Sequence, residues 1–114
     1  MTEEDFDQIC IIKWFEKTFP DLKQDMHHFA NQRKCSWYQG KLLKSMGVKA
    51  GVADLFLAVP KNGKSGLWLE LKTKKGRLTQ HQIDFLERKS NLGYVAAAVW
   101  GQEDAKHYIL NYLS

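Results

Sequence analysis

Apolar positions set the outline of this chain. Phe6, Ile9, Cys10, Ile11, Ile12, Trp14 and Phe15 fall around most of a helix predicted over about residues 3–18. Thr2 stands before it as an N-cap, acids fill its first turn, and Pro20 follows its end. So wide an apolar face predicts cover on more than one side, by a sheet and by a partner subunit. A short strand is expected over about 24–32, carrying His27, His28 and Asn31. A helix over about 37–46 stops at Gly47, a residue suited to the C′ position. Residues 53–59 read as a buried strand. Pro60-Lys61-Asn62-Gly63-Lys64-Ser65-Gly66 carries turn chemistry, so the next strand, about 67–73, returns as a hairpin. There Leu67, Leu69 and Leu71 alternate with Trp68, Glu70 and Lys72, which predicts one packed face and one face for chemistry. Thr79 and Gln82 have the spacing of a capping box that opens a helix over about 79–91, and Gly93 stops it. Tyr94 to Trp100 reads as another buried strand. Residues 102–113 fit a helix or an extended segment. The sum is a single α/β domain, a central hairpin flanked by helices.

Composition narrows the class. The chain has 114 residues, 44% of them hydrophobic, which is enough for a core. A net charge of +4 suits a polyanion partner, and equally a mildly basic soluble domain. Cys10 and Cys35 are the two cysteines, with no Cys/His zinc spacing. Both are expected to stay reduced in a cytosol-like compartment. The start Met1-Thr2-Glu3-Glu4-Asp5 is too acidic for a signal peptide, and no run is long enough to cross a bilayer, so a cytoplasmic location is expected.

The candidate chemistry lies on the hairpin. Asp54 opens an apolar stretch, and Glu70 and Lys72 share one face of the next strand. Asp and Glu are the hard oxygen ligands that Mg²⁺ or Mn²⁺ prefers, and a lysine beside them can hold a water or a phosphate. Taken one at a time, Asp54 reads as a strand-end cap, and Glu70 with Lys72 as a surface ion pair. Glu4 and Gln8 share a helix face. Gln82 can close its capping box or reach toward the site. Lys41, Lys44, Lys49, Lys74, Lys75 and Arg77 surround the acids in sequence; alone they are a solvated surface. Trp37 and Tyr38 suit a core, an interface or the stacking of an unpaired base.

The order helix, hairpin with Asp then Glu-x-Lys, helix, strand resembles the PD-(D/E)xK nuclease core, the restriction-endonuclease-like fold. Within it, the run Met46-Gly47-Val48-Lys49-Ala50-Gly51-Val52-Ala53-Asp54-Leu55-Phe56-Leu57 is similar to the signature of VRR-NUC domains. So are Leu69-Glu70-Leu71-Lys72, Gly76-Arg77-Leu78-Thr79 with Gln82, and Gly93-Tyr94. The match runs from Glu4 to about residue 105 and resembles the stand-alone phage or bacterial type. One departure is Ala53, where the family has proline; proline there supplies stiffness and no ligand, so its loss is expected to loosen the turn.

The resemblance implies roles. Asp54 and Glu70 would be metal ligands, with the Leu71 carbonyl and Glu4 completing the protein's share. Glu3, Asp5 and Asp7 compete with Glu4 for that register. Lys72 would position the attacking water or stabilise developing charge. Gln82 would face the scissile phosphate. His28 and Asn31 would contact phosphate, together with Lys41, Lys44, Lys49, Lys74, Lys75 and Arg77. The implied activity is a Mg²⁺- or Mn²⁺-dependent endonuclease on branched DNA such as four-way (Holliday) junctions, acting as a homodimer. The competing readings are a degenerate DNA-binding or assembly module of the same fold, and a sequence-specific restriction-like nuclease.

Overall fold

The computed structural model describes residues 1–29 and 36–114. Along the chain come α1 (Glu3–Thr18), a 3₁₀ turn (Pro20–Asp25), β1 (Met26–His28), α2 (Trp37–Ser45), β2 (Leu55–Leu57), β3 (Leu67–Lys72), α3 (Gln80–Asn91), β4 (Val95–Trp100) and α4 (Gln102–Leu113). The four strands form one sheet in the order β1-β2-β3-β4. β1, β2 and β3 pair antiparallel, and β4 adds parallel to β3 after the α3 crossover. The fold is therefore α/β, a mixed sheet flanked by helices, as the pattern predicts.

β3 is the strand on which the molecule is built. Leu67, Leu69 and Leu71 point into one cluster with Ile11 and Phe15 of α1 and Ala105, Ile109 and Tyr112 of α4. Each leucine so buried contributes roughly 1.5–3 kcal/mol relative to exposure. On the opposite face Trp68 packs with Ala53 and with Leu86 of α3. This corrects the expectation of one packed face and one chemical face. The second face is packed at Trp68 and turns polar only from Glu70 onward, where Gln82 of α3 meets the carboxylate.

Three helix starts are written locally. Thr2 with Asp5, Ser36 with Gln39 and Thr79 with Gln82 each form a reciprocal capping box. α4 starts at Gly101 with no side-chain cap, which is why 102–113 gave no start signal. Its buried residues, Ala105, Ile109 and Tyr112, share a helical face and make that segment a helix.

The strands at the site are shorter than expected. The segment expected to begin a strand at residue 24 starts instead as the 3₁₀ turn, opened by Pro20, and β1 holds only Met26–His28. Asn31 and Cys35 lie outside the described residues. β2 begins at Leu55 because the Asp54 side chain, and not the ladder, meets β3. The β2–β3 connection closes at Asn62 and Gly63, with φ of 50° and 79°, the left-handed pair that an Asn-Gly hairpin turn requires. Among the described residues no helix is long and apolar enough to cross a membrane.

Candidate metal centre

Asp54 sits where the β2–β3 ladder ends. Its Oδ2 accepts the Leu71 backbone N–H at 2.7 Å, a short charge-assisted bond that replaces a ladder bond. Its own carbonyl accepts the Phe29 N–H at 3.0 Å and lies 3.1 Å from His28 Nδ1. A carbonyl only accepts, so His28 carries its proton on Nδ1 and turns Nε2 outward. Ala53 is fully buried in the Trp68–Leu86 cluster. Packing and these bonds fix the acid, one residue after the position where the family has its proline.

Glu70 faces Asp54 from β3, and Glu4 reaches both from the first turn of α1. One carboxylate oxygen from each of the three lies within 4.8 Å of the others. Asp54 and Glu70 are only 4% and 1% exposed. Burial first, then the charge of Asp54, push the Glu70 carboxyl up to about 9, with Glu4 adding to the effect and Lys72 opposing it. Glu70 Oε1 is buried with no hydrogen-bond partner among the described residues. A buried oxygen without a donor, in a crowd of carboxylates, is costly unless a cation completes it. The donor set is all oxygen, which is the chemistry of a small hard divalent ion.

The structure separates Glu4 from its neighbours in sequence. Asp5 closes the capping box on Thr2, at 3.1 Å in both directions. Asp7 accepts from Gln102 Nε2 at 2.9 Å and so ties α1 to α4. Glu3 is exposed, and Glu4 is the acid of this turn in the cluster. Gln82 closes its capping box and also meets Glu70. Its Oε1 accepts the Thr79 N–H at 2.9 Å, and that fixes the amide so that Nε2 donates to Glu70 Oε2 at 3.2 Å.

Lys72 Nζ stands 3.9 Å from Glu70 Oε2, with the side chain largely buried. Its surroundings include two residues whose part the sequence did not reveal. A Cβ on Gly76 would come within 3.2 Å of Lys72 Cδ, so the glycine leaves room for the lysine stem. Trp100 donates its indole N–H to the Gly76 carbonyl at 2.9 Å and closes the loop over that stem. Gly51 has a comparable steric role. A Cβ there would lie 2.6 Å from the His81 carbonyl oxygen, and its φ is 79°. Only glycine lets the lead-in to Asp54 lie against the first turn of α3.

The basic residues form no single contact. Lys74 and Lys75 are exposed on the turn after β3, and Arg77 on the loop that follows. Lys41 and Lys44 are exposed on α2, and Lys49 on the lead-in. His28 is exposed at the edge of the site, and Leu71 offers the site only its backbone, since its side chain is in the core.

No family model and no curated protein sequence matches the chain. A solved structure does: a VRR_NUC domain protein, 25% identical, superposes with a TM-score of 0.86 over 98% of this chain and 88% of its own. The shared fold carries the likeness that the motif residues already suggested, the buried acid, the acid-x-lysine strand and the capped helix among them. With that fold spanning nearly every residue around those motifs, the chain is similar in structure to a VRR_NUC domain protein and shares its nuclease fold.

Proposed function

We propose that this domain is a Mg²⁺- or Mn²⁺-dependent endonuclease that hydrolyses phosphodiester bonds in branched DNA. The observation that carries the reading is the convergence of Glu4, Asp54 and Glu70, two of them buried and one with an orphaned oxygen. These three, with the Leu71 carbonyl, would hold the ion. When bound, it supplies the Lewis acidity that phosphodiester hydrolysis needs. The chain's own residues do the rest. Lys72 orients the attacking water or meets charge on the phosphoryl oxygens. Gln82 holds Glu70 in its rotamer and offers its amide on the substrate side. His28 presents Nε2, and Lys41, Lys44, Lys49, Lys74, Lys75 and Arg77 take backbone phosphates.

A homodimer fits this reading. Phe6 is 54% exposed and Ile9 40%, on the α1 face that the core leaves uncovered. Two sites related by a two-fold axis suit paired cuts in a four-way junction. The alternative, a degenerate DNA-binding or assembly module, is disfavoured by the intact Asp54, Glu70 and Lys72.

The test is a cleavage panel of four-way, flapped and linear DNA with Mg²⁺, Mn²⁺ and excess chelator. Cleavage of branched DNA only when metal is present is expected. Full activity in excess EDTA would refute the metal role. Calorimetric metal titration of wild type against Asp54→Ala separates an enzyme from a degenerate module, because only the former loses a binding isotherm.

A further inference from the structure

We propose that α2 is a stacking platform for an unpaired base, with the Trp37 ring as its surface and Lys41 and Lys44 on the adjoining phosphates. The proposal rests on the reading above only for DNA being the ligand, and it narrows the substrate to DNA with an unstacked nucleotide near the cut.

No residue of α2 is buried. Trp37 is 76% exposed and Tyr38 70%, with Leu42 and Met46 also open to solvent. Isolated exposed apolar side chains are ordinary, but two exposed aromatic side chains in the first turn of a helix with no buried residue offer a contact surface. The helix is nevertheless well specified. Ser36 and Gln39 cap its start, and Met46 closes its end onto Leu42, Leu43 and Lys44. Its root is anchored to the site. Val48 donates to the Leu43 carbonyl at 3.0 Å, Gly51 lies against α3, and Asp54 follows three residues later. The longest axis of the molecule is 44 Å. That is roughly 13 base steps at about 3.4 Å each, so the ring and the carboxylates can meet on one DNA arm.

Charge selects the occupant. From Ser36 to Ala53 there are three lysines, Lys41, Lys44 and Lys49, and no Asp or Glu. Lys41 Nζ lies over the Trp37 ring, 4.6 Å from its centroid, so the cation covers one face and a base would take the opposite one. A second copy docked here about a two-fold axis would set these lysines against their own equivalents, with no acid in the segment to offset them. A nucleotide meets both demands, with a π face for Trp37 and a phosphate for the lysines. Bases inside a continuous duplex expose no face, so the platform needs one that has left the stack.

The experiment uses the full chain in EDTA, where binding is read without cleavage. Fluorescence anisotropy compares a continuous duplex with a branched DNA of equal length whose branch point carries an unpaired 2-aminopurine. Trp37→Ala is expected to weaken the branched DNA about tenfold and the duplex less than about twofold. Trp37→Phe keeps a ring and is expected to restore most of the affinity. The 2-aminopurine emission responds to wild type and Trp37→Phe, and not to Trp37→Ala. Equal loss on both DNAs, or no loss on either, overturns the proposal. So does a fall in oligomer mass for Trp37→Ala with DNA affinity unchanged, which would assign the face to a second copy. If wild type shows the base-stacking signal but cuts no DNA with Mg²⁺ or Mn²⁺, the nuclease reading fails and the platform stands.

Discussion

Lys72 is the residue to which the proposed mechanism assigns the attacking water or the developing charge. Its Nζ stands 3.9 Å from Glu70 Oε2, longer than a tight charge-assisted hydrogen bond. Lys72→Ala is expected to slow cleavage about a hundredfold or more while DNA affinity changes far less. Single-turnover rates beside binding constants check this, and a near wild-type rate would remove Lys72 from the site. Trp100→Phe keeps the ring and deletes the indole donor to Gly76. One such bond is worth about 1 kcal/mol, so a drop of about fivefold in single-turnover rate with unchanged affinity is expected. An unchanged rate would mean that the loop holds Lys72 without it. That Asp54, Glu70 and Lys72 come together was legible from residue type and spacing on a hairpin, whose strands bring such positions face to face. Trp100 was not. Its partner lies 24 residues back in sequence, and no local pattern connects a strand-end tryptophan to a carbonyl that far away. Glu4 was only half legible. Four acids crowd the first seven residues, and the choice among them is made by packing against α4 and by the cap.

At the level of elements, the helix starts were legible and the strand lengths were not. Capping boxes are local, so sequence shows them directly. A strand's length depends on what lies opposite. β2 stops short of Asp54 because that side chain takes the Leu71 N–H, and hydropathy carries no trace of this exchange. α3 joins the two kinds of information, since Gln82 both opens the helix and bonds Glu70. Thr79→Ala and Gln82→Ala should each cost about 1 kcal/mol through the lost cap. Thermal melts are expected to fall by a similar amount in both. Cleavage should fall further in Gln82→Ala, which alone removes the donor to Glu70. Equal rates in the two variants would reduce Gln82 to a helix cap.

Across the whole molecule, the uncovered side of α1 and the acid cluster have separate consequences. Light scattering is expected to give twice the monomer mass at micromolar concentration. Phe6→Asp should return it to the monomer by burying a charge in that contact. A monomeric wild type would remove the two-fold argument. The acid cluster acts on folding itself. Glu70 binds its proton more tightly folded than unfolded, so its contribution is present in full below the ordinary carboxylate range. It is lost as pH rises toward about 9. Metal-free protein should therefore melt at lower temperature as pH is raised through neutrality, and Glu70→Gln should flatten that slope. The same substitution removes the cost of protonating Glu70 on folding and is expected to stabilise the metal-free fold near neutral pH by roughly 1–2 kcal/mol, about 5–10 °C in Tm. Differential scanning calorimetry in chelator reads both effects, and a less stable Glu70→Gln would contradict them. The buried Glu70 carboxyl thus makes the metal-free protein frailer than its Glu70→Gln variant. A screen for heat resistance alone would discard Glu70 first, and the sequence can keep it only where the proposed activity is selected too.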